Sequence, residues 1–366
     1  MGPRTHRAYS QSDFERGGYG DPPRKHAKLN RYKRVRTCGA RATACSQAVL
    51  LSAAAGSMMG TAHGGPPERG MLTGVHFLTT YACNFECDHC FLYSRPGAGG
   101  TFTIGQIRSL LDECVRIGTI ERVFFEGGEP MLYYPLVLAG IDEARRRGLA
   151  AGIVTNAYWA TSVDDAVLWL RPLAERGLES VSLSDDALHY GDADGAHAAR
   201  VAEAAARLGM TAKNMATDRP RVETDAATGR PRVAGGVMFR GRAVEKLAPG
   251  LPGRPWKDLV TCPHENLADP GRVHVDGLGT VHLCQGLSLG DWQRTPLSEL
   301  VARYDPQAHP IVGPLVRGGP AELARTFGVG QGVDYVDECH LCYVVRRALV
   351  DRFPGYLAPR LVYGME

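Results

Sequence analysis

Cys83, Cys87 and Cys90 stand as C-x3-C-x2-C in the run Cys83-Asn84-Phe85-Glu86-Cys87-Asp88-His89-Cys90. A loop of this length can turn three thiolates onto one metal centre. A 4Fe–4S cubane has four irons and is ordinarily held by four ligands, so three protein thiolates leave one iron open to a substrate or cofactor. Zinc is the competing occupant, because C-x2-C is also a zinc-ligand spacing and His89 could supply a fourth ligand.

A second run, Phe125-Glu126-Gly127-Gly128-Glu129-Pro130, carries a different chemistry. Paired glycines let backbone polar groups approach a ligand closely, Glu129 can receive an ammonium group, and Pro130 stiffens the turn. Further along, Thr155-Asn156 and Ser182-Leu183-Ser184-Asp185 are polar strand ends. Asn156 and Ser184 are the candidate ligand contacts there. Ser182 can exchange roles with Ser184, because one sequence does not fix the register, and ordinary capping is the alternative for all of them.

Four more cysteines, Cys262, Cys284, Cys339 and Cys342, are spaced C-x21-C-x54-C-x2-C. They match the complement of one fully ligated 4Fe–4S cluster. The competing readings are buried core thiols for Cys262 and Cys284 and half a zinc ribbon for Cys339 and Cys342. Cys114 falls on the apolar face of a predicted helix and belongs to a core. Cys38 and Cys45 are unassigned.

These residues need a scaffold. From Met71 onward, short β-rich runs alternate with helical patterns, as in a parallel sheet with crossover helices. The predicted strands are 74–79, 121–126, 151–155, 180–184, 211–215 and 235–240. Between the first two, Ile104, Ile107, Leu111, Cys114 and Ile117 keep helical spacing behind a Thr103 N-cap. Further helices are expected over 136–147, 163–176 and 196–208. Six βα units in about 175 residues are too few for the closed eight-fold barrel of about 250, and suit an open, partial (β/α)6 TIM-like barrel with its chemistry at the C-terminal strand ends. That puts the cysteine loop, the Gly-Gly turn, 156–159 and 185–189 at one mouth. Beyond Arg242 the alternation lapses, and a β-hairpin is expected from 272–276 and 280–284 around Asp276-Gly277-Leu278-Gly279, with a helix from Val344.

The triad after a first strand, followed by Gly127-Gly128-Glu129-Pro130 after a second, resembles the radical S-adenosylmethionine (SAM) superfamily. The resemblance implies that the open iron binds the amino and carboxylate groups of SAM. An electron from the reduced cluster then cleaves the cofactor to a 5′-deoxyadenosyl radical that abstracts a substrate hydrogen. It also implies that Gly127, Gly128, Glu129, Asn156 and Ser184 contact SAM, and that His89 packs against cluster or cofactor. The distal cysteines, the Gly279-x4-Cys284 spacing and Gly241-Arg242-Ala243 resemble the twitch domain, a shortened SPASM relative with one auxiliary 4Fe–4S cluster. Such a cluster could accept an electron from a substrate radical. His189, His264, His282, His340 and Asp186 could each take the accompanying proton, and none is singled out by a motif.

The expected organisation is a basic, Ala-rich, disordered extension over 1–70, a radical SAM core over 71–246, a twitch/SPASM-like module over 247–350 and a tail over 351–366. Met71 could be the true start. The expected activity is oxidation or dehydrogenation of a small molecule with a flavodoxin- or ferredoxin-type electron donor. The alternatives are a peptide-modifying maturase and, in another class, a zinc or iron–sulfur nucleic-acid binder. The last rests on the ten Lys and Arg against three acids within residues 1–36 of a chain whose formal net charge is only +3. A charge run of this kind is ordinarily a solvated tail, so nucleic acid is not the expected partner. No run approaches the roughly 20 apolar residues of a membrane span, since Ser52, Gly56 and Ser57 interrupt the longest candidate, 48–59. Reduced thiols and an electron supply point to a cytoplasmic setting rather than to the secretory signal that the basic, Ala-rich start imitates.

Overall fold

Apolar strands and amphipathic helices do alternate as the sequence dictates. The computed structural model describes residues 72–191, 196–226 and 228–365, all of them within one compact unit. The expectations for residues 1–70 lie outside the described residues.

Five strands, β1 (Gly74–Thr80), β2 (Arg122–Gly127), β3 (Ala150–Thr155), β4 (Leu178–Leu183) and β5 (Thr211–Asn214), are laid side by side. All neighbours are parallel. Between them run α1 (Ile104–Ile117), α2 (Tyr134–Arg146), α3 (Val163–Glu175), the short α4 (Ala187–Tyr190) and α5 (Ala196–Arg207). Helix α1 starts on a capping box: Thr103 Oγ1 accepts from Gln106 N–H, and Gln106 Oε1 accepts from Thr103 N–H. Ile107, Leu110, Leu111 and Cys114 are its buried stripe, which places Cys114 in the core as expected.

Alternation along the strands divides the sheet's two faces. Val75, Phe77, Val123, Phe125, Ile153 and Val181 are fully buried, with Phe77 and Phe125 stacked at 5.3 Å. The intervening residues His76, Phe124, Glu126, Val154 and Ser182 line a cleft.

The sixth expected strand is absent. After β5 the chain makes a separate hairpin of β6 (Arg221–Thr224) and β7 (Pro231–Ala234), and residues 235–240 are irregular. Their backbone is drawn elsewhere: Phe239 N–H donates to Asp337 Oδ2 and Arg240 reaches Cys284. Helix α6 (Arg242–Lys246) follows, then β8 (Arg254–Pro255).

The expected hairpin forms as β9 (Arg272–Asp276) and β10 (Thr280–Cys284), continued by β11 (Leu287–Asp291). It joins the main sheet, because β9 pairs in parallel with the free edge of β1. The sheet order is therefore β11-β10-β9-β1-β2-β3-β4-β5. The parallel array has six strands, but the sixth comes from the C-terminal segment and sits at the opposite edge. Helices α7 (Leu297–Arg303) and α8 (Val312–Phe327), strand β12 (Asp334–Tyr335), which pairs with β8, and α9 (Glu338–Leu349) complete the described fold. Helix α9 begins six residues before Val344, capped by Asp337 on His340 N–H, so Cys339 and Cys342 lie in its first turns rather than before it.

Candidate active site

The cysteine loop leaves β1 and is stitched to the turn after β2. Gly128 N–H donates to Thr80 O at 2.7 Å and Glu129 N–H to Ala82 O at 2.9 Å. A Cβ on Gly128 would lie 2.2 Å from Ala82 O, so this approach is available only to glycine. From the other side, Arg242 clamps the same loop. Its backbone N–H donates to Cys90 O, and its guanidinium donates to Cys87 O at 2.6 Å and Ser94 O at 2.9 Å. Gly241 permits that contact, since a Cβ there would stand 2.4 Å from Phe91 Cα. In the sequence Gly241-Arg242-Ala243 entered only as part of the twitch resemblance; its structural work is to close the cysteine loop.

Cys83, Cys87 and Cys90 line one cleft of about 620 Å³, together with Gly127, Gly128, Asn156, Ser182 and Ser184. Burial pushes the Cys83 thiol up to about 11 and the Cys87 thiol up to about 12. A bound metal reverses this preference, because a coordinating thiol is deprotonated outright. Phe85 N–H points at Cys83 Sγ at 3.3 Å, a donor suited to a metal-bound sulfur. Asn156 Nδ2 bonds Asn84 Oδ1 at 2.9 Å and so holds the loop as well as the wall.

Glu129 is placed differently from its neighbours. It is fully buried and its carboxylate accepts from Met131 N–H, Thr155 Oγ1 and Asn156 N–H at 2.8–2.9 Å. Burial raises its pKa to about 7 against those bonds. It ties the Gly-Gly turn to the end of β3, while the two glycines themselves reach the cleft. His89 packs edge-to-face on His189, centroids 4.5 Å apart, in the same cleft. Burial, with His189 adding to it, lowers its pKa to about 4.

The distal set converges despite its long spacings. Cys262, Cys284 at the end of β10, and Cys339 and Cys342 one turn apart on α9 line a single small cavity. Two arginines border it. Arg240 is 4% exposed and donates to Cys284 Sγ at 2.9 Å, while its guanidinium stacks on Phe91 at 4.7 Å. Arg346 is 1% exposed and donates to Gln285 O and Tyr363 OH. Neither pairs with a carboxylate among the described residues, and both Nε atoms lack a partner. A buried cation without a counter-ion is costly. Burial works against the Arg240 charge, but Cys284, Cys339 and, less strongly, Glu265 outweigh it and hold the guanidinium above its usual value. The donor set fits a four-thiolate cluster, whose net negative charge would answer both arginines. Arg240, His264 and Glu265 line this cavity and the triad's cleft alike.

Of the five acid–base candidates, His189 and His264 line the cleft. His282 is fully buried against Asp276 at 3.0 Å, His340 is turned to Val336 N–H, and Asp186 caps α4. The cleft's floor instead carries three residues that sequence reasoning missed, His76 on β1, Glu126 on β2 and His274 on β9. Glu126 takes His76 Nδ1 and His274 Nε2 on its two oxygens, each at 3.1 Å. Burial pushes the Glu126 carboxyl up, yet the two histidines outweigh it and hold it well below the carboxylate range. Burial lowers His274 in spite of Glu126.

A sequence model described as the Radical SAM superfamily matches residues 77–212, the span from β1 to β5. This segment is a radical SAM domain. Members of that superfamily use SAM and a 4Fe–4S cluster. Over 110 residues the chain is 31% identical to the tungsten-containing aldehyde ferredoxin oxidoreductase cofactor-modifying protein of Pyrococcus furiosus, covering 30% of this chain and 29% of that one. Over 107 residues it is 24% identical to the putative peptide biosynthesis protein YydG of Bacillus subtilis, covering 29% and 34%. The match thus spans about a third of each relative. The crystal structure of BtrN in complex with AdoMet and 2-DOIA superposes with a TM-score of 0.40 at 14% identity, over 63% of this chain and 82% of that one.

Proposed function

We propose that the chain is a two-cluster radical SAM oxidoreductase. In this reading Cys83, Cys87 and Cys90 hold the SAM-binding 4Fe–4S cluster, and residues 247–350 form a twitch/SPASM-like module in which Cys262, Cys284, Cys339 and Cys342 hold an auxiliary one. The observation that carries it is the pair of buried arginines beside four converging thiols, which call for an anionic group between them. When bound, SAM and its cluster supply a 5′-deoxyadenosyl radical for hydrogen abstraction.

The chain's own residues do the rest. Gly127 and Gly128 bring backbone to the cofactor, Asn156 and Ser184 offer side-chain hydrogen bonds along the same wall, and Glu129 acts as the knot beneath them. Arg240 lies between the two cysteine sets and can favour electron arrival at the distal one. Abstraction of a hydrogen atom followed by loss of one electron and one proton is a net two-electron oxidation. The electron donor is of the flavodoxin or ferredoxin type.

A cleft of about 620 Å³ must also take SAM, which leaves room for a small polar molecule or a single side chain of a peptide. The name of YydG favours the second and makes peptide modification the alternative. The test is anaerobic reconstitution with SAM and dithionite. 5′-Deoxyadenosine should form with wild type and with Cys339→Ala/Cys342→Ala, but not with Cys83→Ala. A colourless protein with stoichiometric zinc, making none, would sink the proposal.

A further inference from the structure

His76, Glu126 and His274 belong to three adjacent strands of the sheet. His76 and His274 sit directly opposite each other in the β1–β9 register, and Glu126 is opposite Leu78 on the other neighbour. All three side chains face the cleft. Parallel strands with helices packed on the far face are a rigid support, and a largely buried His–Glu–His cluster needs a reason to be there.

We propose that these three residues form a mononuclear site for a divalent first-row metal ion, separate from both cysteine sets. One donor atom from each residue lies within 4.8 Å of the other two. The carboxylate oxygens of Glu126 are each 3.1 Å from a histidine nitrogen. Two ligands about 2.1 Å from one ion, at angles between about 90° and 110°, are about 3.0–3.4 Å apart, so both histidine–carboxylate pairs already stand at ligand spacing, and the donor atoms, within 4.8 Å of one another, need only draw in around the ion. Two imidazoles and one carboxylate are a donor set of borderline hardness, suited to Mn²⁺, Fe²⁺ or Zn²⁺ rather than to Ca²⁺ or Cu⁺.

The surroundings agree with an open coordination shell. The side chains of His76 and Glu126 are 18% and 16% exposed, and that of His274 is 7% exposed. His76 also borders a second cavity of about 420 Å³ with Arg122, Arg272 and Glu265. His274 Nδ1 has no protein partner, which leaves its ring free to adjust when its Nε2 exchanges Glu126 for an ion. With three protein ligands, the remaining positions face the cleft. An ion there would act as a Lewis acid, holding and polarising an oxygen- or nitrogen-bearing group of the substrate. This assigns the cleft a substrate with a hydroxyl, carboxylate or amine placed to chelate.

The site stands on β1, β2 and β9 whether or not the distal cysteines hold a cluster, and its test uses an ion that thiolates do not favour. The full-length protein would be titrated with Mn²⁺ while the electron paramagnetic resonance of the free ion is followed. About one equivalent should bind. His76→Ala, His274→Ala and Glu126→Gln should each weaken it at least tenfold, while His197→Ala on α5 leaves it unchanged. Circular dichroism identifies any variant that fails to fold, and Glu126→Gln preserves side-chain volume for that case. No bound equivalent in the wild-type protein, or equal binding by folded Glu126→Gln and wild type, overturns the proposal.

Discussion

Replacing Arg240 by Gln should lower the reduction potential of the distal cluster. The guanidinium is 4% exposed, lies 2.9 Å from Cys284 Sγ and pairs with no carboxylate among the described residues, so its charge is felt in a weakly screened setting. An electron added about 6 Å from that charge, at an effective dielectric of about 20, is stabilised by about 3 kcal/mol. For a one-electron couple this corresponds to about 120 mV, an upper figure because water entering the variant would replace part of the effect. The background should be Cys83→Ala/Cys87→Ala/Cys90→Ala, in which only the distal cluster remains, with the potential read from an electron paramagnetic resonance redox titration. Arg240→Lys keeps the charge but not the planar fork, and should recover part of the shift. If the cluster assembles in Arg240→Gln with an unchanged or higher potential, the electrostatic argument is wrong.

Gly128→Ala should abolish loading of the triad cluster, because its Cβ would stand 2.2 Å from Ala82 O. Iron analysis should show about four irons lost and the distal set intact. Arg242→Ala removes the donors to Cys87 O and Ser94 O and should produce the same selective loss. Glu129 supplies a pH test. Its folded pKa is raised from 4.5 to about 7, so the folded state holds the proton longer than the unfolded one. The contribution to stability is full below about pH 4.5 and is lost as pH rises through about 7, in total about 3 kcal/mol. Melting temperatures of Glu129→Gln should therefore lack the decline that wild type shows across that window.

The parallel strands β1 to β4 were legible because each is a short β-rich run followed by a helical pattern, β5 because it follows the last of those helices, and the hairpin because Asp276-Gly277-Leu278-Gly279 punctuates two β-rich runs. The sixth strand was not. Residues 235–240 have strand-like composition, but Arg240 and Phe239 are drawn toward Cys284 and Asp337, and those tertiary contacts override propensity. The start of α9 was misplaced because its cap is Asp337, with two candidate metal ligands occupying its first turns. The cysteine triad and Gly127-Gly128 declare themselves locally. His76, Glu126 and His274 do not, since the pairing of β9 with β1 brings together residues 198 positions apart in strands that sequence reasoning assigned to different modules. An alternation of polar residues on β1 and β2 was the available signal, but it shows a facing side and not a partner.

Magnetically perturbed Mössbauer spectroscopy of the anaerobically reconstituted, ⁵⁷Fe-labelled chain, paired with sulfide analysis, tests the two-cluster account most directly. The account predicts about eight irons per chain as two 4Fe–4S clusters. It predicts about four in Cys83→Ala/Cys87→Ala/Cys90→Ala, and about four in Cys262→Ala/Cys284→Ala/Cys339→Ala/Cys342→Ala. A wild-type chain holding a single cluster, with zinc on the distal thiols, would contradict it.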